Sequence, residues 1–279
     1  MTAKTWTKTP SYVLMILFGL VMVYPLLWVV SASFRSNADI YASLSLIPAE
    51  FRWDGFVEGW KGTGQLTFGT FLINSFLLVA PTVLGTLVSS TVVAYGFTRF
   101  DFALKKQLFA LVIATLMLPQ AVVIIPKYLL FKQLGWLDSY WPFIVPAFLG
   151  TYSFFIFMMV QFMRGLPKDL DESAKIDGCG SAGILLRVLV PLSGPALFSV
   201  GILQFIWLWN DFFNSLIYIN SVSKFTAQLG LRMAIDSSGD IQWNQIMAMS
   251  LLTMLPCVLI FFMAQKHFVE GISTTGLKG

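Results

Sequence analysis

The chain has 279 residues, of which 57% are hydrophobic and 11% charged, with a formal net charge of +4. Soluble domains carry about a quarter charged residues, so this composition excludes an ordinary water-soluble domain and gives no reason to invoke nucleic acid. Apolar runs of about 20 residues suit spanning helices, whereas a membrane barrel needs alternating segments of about 10, a pattern not seen here.

Six windows are long and apolar enough to span a bilayer: 11–34, 71–95, 108–131, 141–163, 194–218 and 246–265. The first follows Lys4 and Lys8 and ends in Ser31-Ala32-Ser33, which mimics a secretory signal and its cleavage site. A signal's apolar core is about 7–15 residues; this run is longer and contains Pro25, so a retained span is expected. Residues 35–70 then bring Tyr41, Phe51, Trp53, Phe56, Trp60 and Phe68, which either pack as a cap against an outside partner or anchor the segment at the interface. Asn74 and Ser75 in the second window, and Gln120 between Pro119 and Pro126 in the third, are candidates to line a path, because prolines free carbonyls that neighbouring polar groups must satisfy.

Between the fourth and fifth windows, residues 164–193 are polar and punctuated. Pro167 is expected to open a helix, with Asp169, Asp171 and Glu172 at its positive end. Gly178 is expected to stop that helix, Ser181 to cap a second one, and Pro191 to end it. Two short helices about a glycine corner make a knob suited to docking; the bland alternative is a solvated connector.

The fifth window carries Gln204, Trp207, Asp211 and Asn214 at offsets of 0, 3, 7 and 10, one face of a helix. Polar and ionisable groups at membrane depth are costly and face a cavity or a partner. The alternative is that Asp211, near the outer end, reaches interfacial water. Residues 219–244 form a polar excursion with Asp236, Ser237, Ser238, Gly239 and Asp240 as its expected tip. Cys179 and Cys257 lie far apart in this arrangement, so no disulfide is expected, and the single histidine, His267, beside Lys266 suits interfacial anchoring better than a metal.

With an inside N-terminus, eleven Lys and Arg, among them Lys4, Arg99, Arg164, Lys175 and Arg187, fall inside and seven, among them Arg35, Lys127 and Lys224, outside. That bias puts both termini and the 164–193 loop in the cytoplasm.

The loop resembles the signature loop of ABC importer permeases: Glu172, Ala174, Asp177, Gly178 and Pro191 fall on pattern positions, with Ser173 and Cys179 where alanine is usual and Leu189-Val190 in reversed order. The Trp209-Asn210-Asp211-Phe212 run, Gln242-Trp243-Asn244 and the tail from Phe268 through Gly271 and Gly276 to Gly279 are similar to the carbohydrate branch, specifically its maltose-type second permease subunit (MalG-like). The resemblance implies an all-α integral membrane protein with six transmembrane helices and the type I ABC importer permease fold, one domain over residues 1–279. It implies a bacterial or archaeal cytoplasmic membrane as location. Implied partners are a second homologous permease, two cytoplasmic ATPase subunits carrying ATP and Mg, and an extracytoplasmic solute-binding protein that meets residues 236–240. The implied cargo is a sugar or oligosaccharide, moved by alternating access.

No Walker phosphate loop, metal cluster or nucleophile–base pair is visible, so no cofactor is expected on this chain and bond chemistry belongs to the ATPases. Rival expectations are an ABC permease for a non-sugar solute such as a glycerol-phosphate ester, and, from another class, a proton-coupled secondary transporter. The latter is disfavoured because such proteins show paired repeats and buried titratable relays, and here Asp211 alone fits.

Overall fold

The computed structural model describes residues 9–62, 66–236 and 241–275, and all regular structure among them is helical. In chain order the helices are α1 (Thr9–Ala32), α2 (Asn37–Ala42), α3 (Asp54–Lys61), α4 (Phe68–Arg99), α5 (Lys105–Leu116), α6 (Gln120–Gln133), α7 (Trp141–Phe148) and α8 (Ser153–Arg164). They continue with α9 (Asp169–Ile176), α10 (Ser181–Ile184), a π turn (Leu185–Leu189), α11 (Val190–Leu192), α12 (Gly194–Trp209), α13 (Phe212–Tyr218), α14 (Ala227–Asp236) and α15 (Trp243–Thr275). By contacts the chain divides into two compact units, Met1–Leu72 with Ala227–Pro256, and Ile73–Thr226 with Cys257–Gly279.

Helix α1 is apolar on every side and exposed along most of its length, as expected of a helix that meets lipid or another chain. Its end is held by Arg35, 1% exposed, whose guanidinium donates to Ser31 Oγ at 3.2 Å, to the Ser43 carbonyl at 3.0 Å and to the Ser45 carbonyl. Ser36 caps α2 by accepting the Asp39 N–H at 3.2 Å. The aromatics expected as a cap partly form one: Phe34 meets Trp53 at 4.9 Å, Phe56 at 5.1 Å and Phe51 at 6.0 Å between centroids, while Tyr41 stays exposed. The excursion 219–244, expected as a loop, contains α14, and Asp236 is the last residue of that helix, paired with Arg232 at 2.7 Å. The expected tip residues Ser237, Ser238, Gly239 and Asp240 lie outside the described residues. Asn37 closes this unit, donating to the Ile241 carbonyl at 3.0 Å and accepting the Trp243 N–H at 2.8 Å at the start of α15.

In the second unit, α8 packs against α5 and α12 over a core of Phe155, Met159, Val160, Met163, Leu189 and Val200. Thr82, Thr86 and Thr98 of α4 are buried with their hydroxyls satisfied, each donating to the carbonyl one turn back, at 2.7, 2.9 and 2.8 Å.

Four stretches are long and apolar enough to cross a membrane: Pro10–Ala32, Phe68–Arg99, Trp141–Arg164, which is interrupted between Phe148 and Ser153, and Trp243–Met263. The remaining two windows are corrected. The third is not one helix: α5 and α6 meet at 105°, because Pro119 in extended backbone cannot continue a helix. The fifth is interrupted after Trp209, where Asn210 and Asp211 separate α12 from α13, and α12 is bent by 76° from the Ser181–Leu192 segment before it. Counting each bent pair as one span gives six.

Tight packing in the first unit depends on Gly55, where a Cβ atom would stand 2.7 Å from the Asn244 carbonyl oxygen and 3.2 Å from that of Ser33. Both obstacles are backbone and cannot swing away. Gly55→Ala is therefore expected to lose about 1–3 kcal/mol of stability, seen as a lower melting temperature of the detergent-purified protein. Gly19→Ala, whose Cβ meets nothing within 4 Å, is the control and leaves it unchanged or raised.

Candidate functional site

The 164–193 segment is a knob anchored from below. Helix α9 begins at Asp169 with Asp169, Asp171 and Glu172 in its first turn, where the helix dipole favours negative charge. Pro167 does not open it: the chain first makes a turn in which the Gly165 and Leu166 N–H groups bond the Phe162 and Met163 carbonyls, and Lys168 supplies the first helical carbonyl, to Asp171 N–H at 2.9 Å. The helix closes in a Schellman motif. Cys179 N–H bonds the Ala174 carbonyl at 2.9 Å and Gly178 N–H that of Lys175 at 3.0 Å, with Gly178 at φ +80°. A left-handed backbone is what a glycine supplies without strain.

Ser181 is the first residue of α10 and makes no cap; Gly180 stands at the cap position, and the Ser181 carbonyl instead accepts the Tyr95 hydroxyl at 3.0 Å. Nor does Pro191 end the helix. Having no N–H to give, it is accommodated by the widened π turn, in which Val190 N–H reaches back to the Leu185 carbonyl, and the helical run continues to Leu192.

Two buried ties hold the knob to α4: the Tyr95 bond and an ion pair of Arg99 Nε with Asp171 Oδ2 at 2.5 Å, the side chains 6% and 11% exposed. Arg99 also donates to the carbonyls of Met163 at 3.3 Å and Leu166 at 3.1 Å, the last turn of α8 and the turn beyond it. Ala174 is buried in the core cluster, whereas Glu172, Asp177, Gly178 and Pro191 are exposed. Between them Ile176 stands 87% exposed at the knob's tip.

The second feature is a cavity of about 920 Å³ bordered by α6, α7, α12, α13 and the connector between α7 and α8. Gln120, Gln204, Trp207, Asp211 and Asn214 all line it, so the expected stripe converges on one space although the helix carrying it is broken. Asp211 caps α13, accepting the Asn214 N–H at 3.1 Å, and its carboxylate also receives the Asn214 amide at 2.8 and 3.0 Å. Trp207 rests on Phe154 at 5.0 Å and Phe155 at 5.3 Å and leaves half its surface open. Asn74 does not join them. It is buried and donates to the carbonyls of Ser223 at 2.8 Å and Phe225 at 3.0 Å.

Three breaks in the spanning helices meet at this cavity: Gln120 follows the first, Leu149, Thr151 and Tyr152 belong to the second, and Asn210 and Asp211 are the third. Side chains add donors to carbonyls at the second and third breaks. Thr151 Oγ1 donates to the Pro146 carbonyl at 3.0 Å, Ser89 Oγ to that of Ala147 at 2.6 Å, and Asn210 Nδ2 to that of Ile206 at 2.8 Å. Such breaks are tolerated at membrane depth where the backbone lines a cavity or is buried in protein.

Residues 85–274 match the family of binding-protein-dependent transport system inner membrane components. The chain belongs to that family. This permease is 32% identical over 269 residues to the galactooligosaccharides transport system permease protein GanQ of Bacillus subtilis, over 96% of this chain and 95% of that one. It is 33% identical over 264 residues to the sn-glycerol-3-phosphate transport system permease protein UgpE of Yersinia pestis, over 93% and 92%. A chain in the crystal structure of a bacterial ABC transporter that imports the acidic polysaccharide alginate shares its fold, with a TM-score of 0.85 at 20% identity over 96% of this chain and 98% of that chain. The protein is thus an all-α ABC importer permease of the cytoplasmic membrane, a transport subunit rather than an enzyme.

What the sequence did not disclose in this permease is the support. Arg99 and Tyr95 are 72 and 86 positions from Asp171 and Ser181, and nothing local pairs them. Ile176 was legible as an apolar residue in a polar loop but had no visible role. Removing one member of a buried ion pair leaves the other uncompensated, at about 3–5 kcal/mol. Asp171→Ala is therefore expected to lower the melting temperature of the purified complex clearly, and the Arg99→Met/Asp171→Leu double variant to regain much of it.

Proposed function

We propose that this permease passes a sugar or oligosaccharide inward by alternating access, after receiving it from an extracytoplasmic solute-binding protein. It would act as one domain over residues 1–279, with both termini cytoplasmic, paired with a second homologous permease and two ATPase subunits that hold ATP and Mg. The observation that carries this reading is the convergence of three helix breaks on one cavity lined by tryptophans and side-chain amides. Pyranose rings stack on aromatic faces and hydrogen-bond amides and carboxylates, which is the chemistry Trp136, Trp207, Gln204, Asn214 and Asp211 offer. The galactooligosaccharide system of the relative GanQ is consistent with it.

A glycerol-phosphate ester is the second reading, favoured by the relative UgpE and by Lys127, the cation among the cavity's described lining residues. One ammonium against several amides and a carboxylate weighs toward a neutral solute. Proteoliposomes holding the whole complex and its binding protein test the proposal. Uptake of a labelled neutral oligosaccharide on ATP is expected; uptake of glycerol phosphate in its place, or uptake on an imposed proton gradient without ATP, would overturn it. Asp211→Leu is expected to reduce uptake about tenfold or more with assembly intact, and an unchanged rate would return Asp211 to a purely interfacial role.

The knob is proposed to seat in the ATPase, with Glu172, Asp177 and Gly178 outward and Ala174 packed inward. Asp236 and residues 237–240 are proposed to meet the binding protein. A Cβ at position 178 meets nothing within 4 Å in this chain, so a side chain there acts through backbone strain of about 1–2 kcal/mol and through whatever docks. Gly178→Val is expected to leave the permease pair assembled while ATPase co-purification and solute-dependent ATP hydrolysis fall, with Glu172→Lys milder. Full retention of both would reduce the loop to a connector.

A further inference from the structure

One polar cluster is not used by the knob or by the cavity lining. Asp138, in the connector between α6 and α7, adopts φ +54° without being glycine, a conformation that persists where the surroundings over-determine it. Its carboxylate accepts the N–H of Asn220 at 3.0 Å, the N–H of Ser221 at 2.7 Å, the Ser221 hydroxyl at 2.6 Å and the Lys224 ammonium at 3.0 Å. Lys224 also donates to the Asp138 carbonyl at 2.6 Å, and the Asp138 N–H to the Tyr218 carbonyl at 2.7 Å. From the other side Tyr140 donates to the Lys224 carbonyl at 3.0 Å, and Asn74 to those of Ser223 and Phe225. The Ser221 donors, aided by Lys224 and Asn220, hold the Asp138 carboxyl well below the usual carboxylate range, so this carboxylate is charged at any physiological pH.

The position of this clasp is what gives it meaning. Directly beside it, Tyr218 stands edge-on to Phe131 at 5.3 Å and to Phe143 at 5.7 Å, and Phe131 stacks on Trp136 at 5.8 Å. All four rings line the cavity. The clasp thus joins the turn after α13 to the aromatic wall through hydrogen bonds that leave little slack.

We propose that the Asp138–Ser221–Lys224 clasp is a rigid strut that makes the turn 220–225 and the aromatic wall of the cavity move together, so that a solute-binding protein pressing on the extracytoplasmic segment shifts the wall itself. Asp138 and Lys224 are positioning residues in this scheme, and Asn74 serves the strut rather than the path. The proposal rests on the 219–236 segment facing the binding protein.

The test uses the reconstituted complex with its binding protein. Asp138→Ala and, as a milder change that keeps the Ser221 bonds, Lys224→Met are titrated with solute-loaded binding protein while ATP hydrolysis is followed. The expected result is an unchanged basal rate and half-saturating concentration, with maximal stimulation and uptake reduced about tenfold in Asp138→Ala and less in Lys224→Met. Unaltered maximal stimulation in both would overturn the strut. So would a raised half-saturating concentration at full maximal rate, which marks a docking contact, or a parallel fall of basal and stimulated rates with the melting temperature, which marks a structural tie. Photo-cross-linking from Val222, 40% exposed, in the otherwise wild-type complex checks the premise separately. No cross-link to the binding protein would sink the premise and the strut with it, whereas a normal cross-link with unaltered stimulation would sink the strut alone.

Discussion

A backbone amide at membrane depth has no water to fall back on, and this requirement organises the permease around its cavity. Where α5 gives way to α6, α7 to α8 and α12 to α13, the helical ladder is cut and carbonyls lose their partners. At the second and third breaks Thr151, Ser89 and Asn210 add side-chain donors to the weakened ladder. The three breaks share one space, and Thr151 and Asn210 also give that space hydrogen-bonding character. A continuous span would have left a wall of Leu and Phe.

The same accounting explains two buried arginines. Arg35 follows α1 and gathers the carbonyls of Ser43 and Ser45; Arg99 ends α4 and gathers those of Met163 and Leu166. A guanidinium offers five donors in a fixed fork and keeps its charge, so one side chain can satisfy several orphan carbonyls of a helix end or turn at once. Each is balanced by a carboxylate, Asp39 at 3.7 Å and Asp171 at 2.5 Å. For the knob the consequence is mechanical. Its inner side is fixed to α4 and α8 by charge and hydrogen bonds, while its outer side leaves Glu172, Ile176, Asp177 and Gly178 exposed.

Much was legible in the sequence because apolar length, helix stops and motif spacing are local properties. The apolar windows, the knob between the fourth and fifth of them, the glycine corner at Gly178 and the polar stripe from Gln204 to Asn214 all follow from residues a few positions apart. Local patterns also misled where two solutions are equally good for a short stretch. Pro191 signals a stop, yet a π turn admits it; Pro167 suits a first helical position, yet the helix waits for Lys168; Ser181 suits a cap, yet its carbonyl is what the structure uses. Asn74 has the composition of a path residue and spends its amide on a turn 149 positions away.

Sequence alone therefore determined the class of protein, its helical character and the position of the exposed knob with its glycine corner, since burial of apolar length in lipid and the needs of a helix end act within a few turns. Tertiary structure decided that α5 and α6 meet at 105°, that three breaks share a cavity, that Arg99 and Tyr95 hold the knob and that Asp138 clasps the turn at Ser221. Those outcomes turn on which distant donor reaches a freed carbonyl or carboxylate, and partners separated by scores of residues leave no periodicity for a sequence to carry.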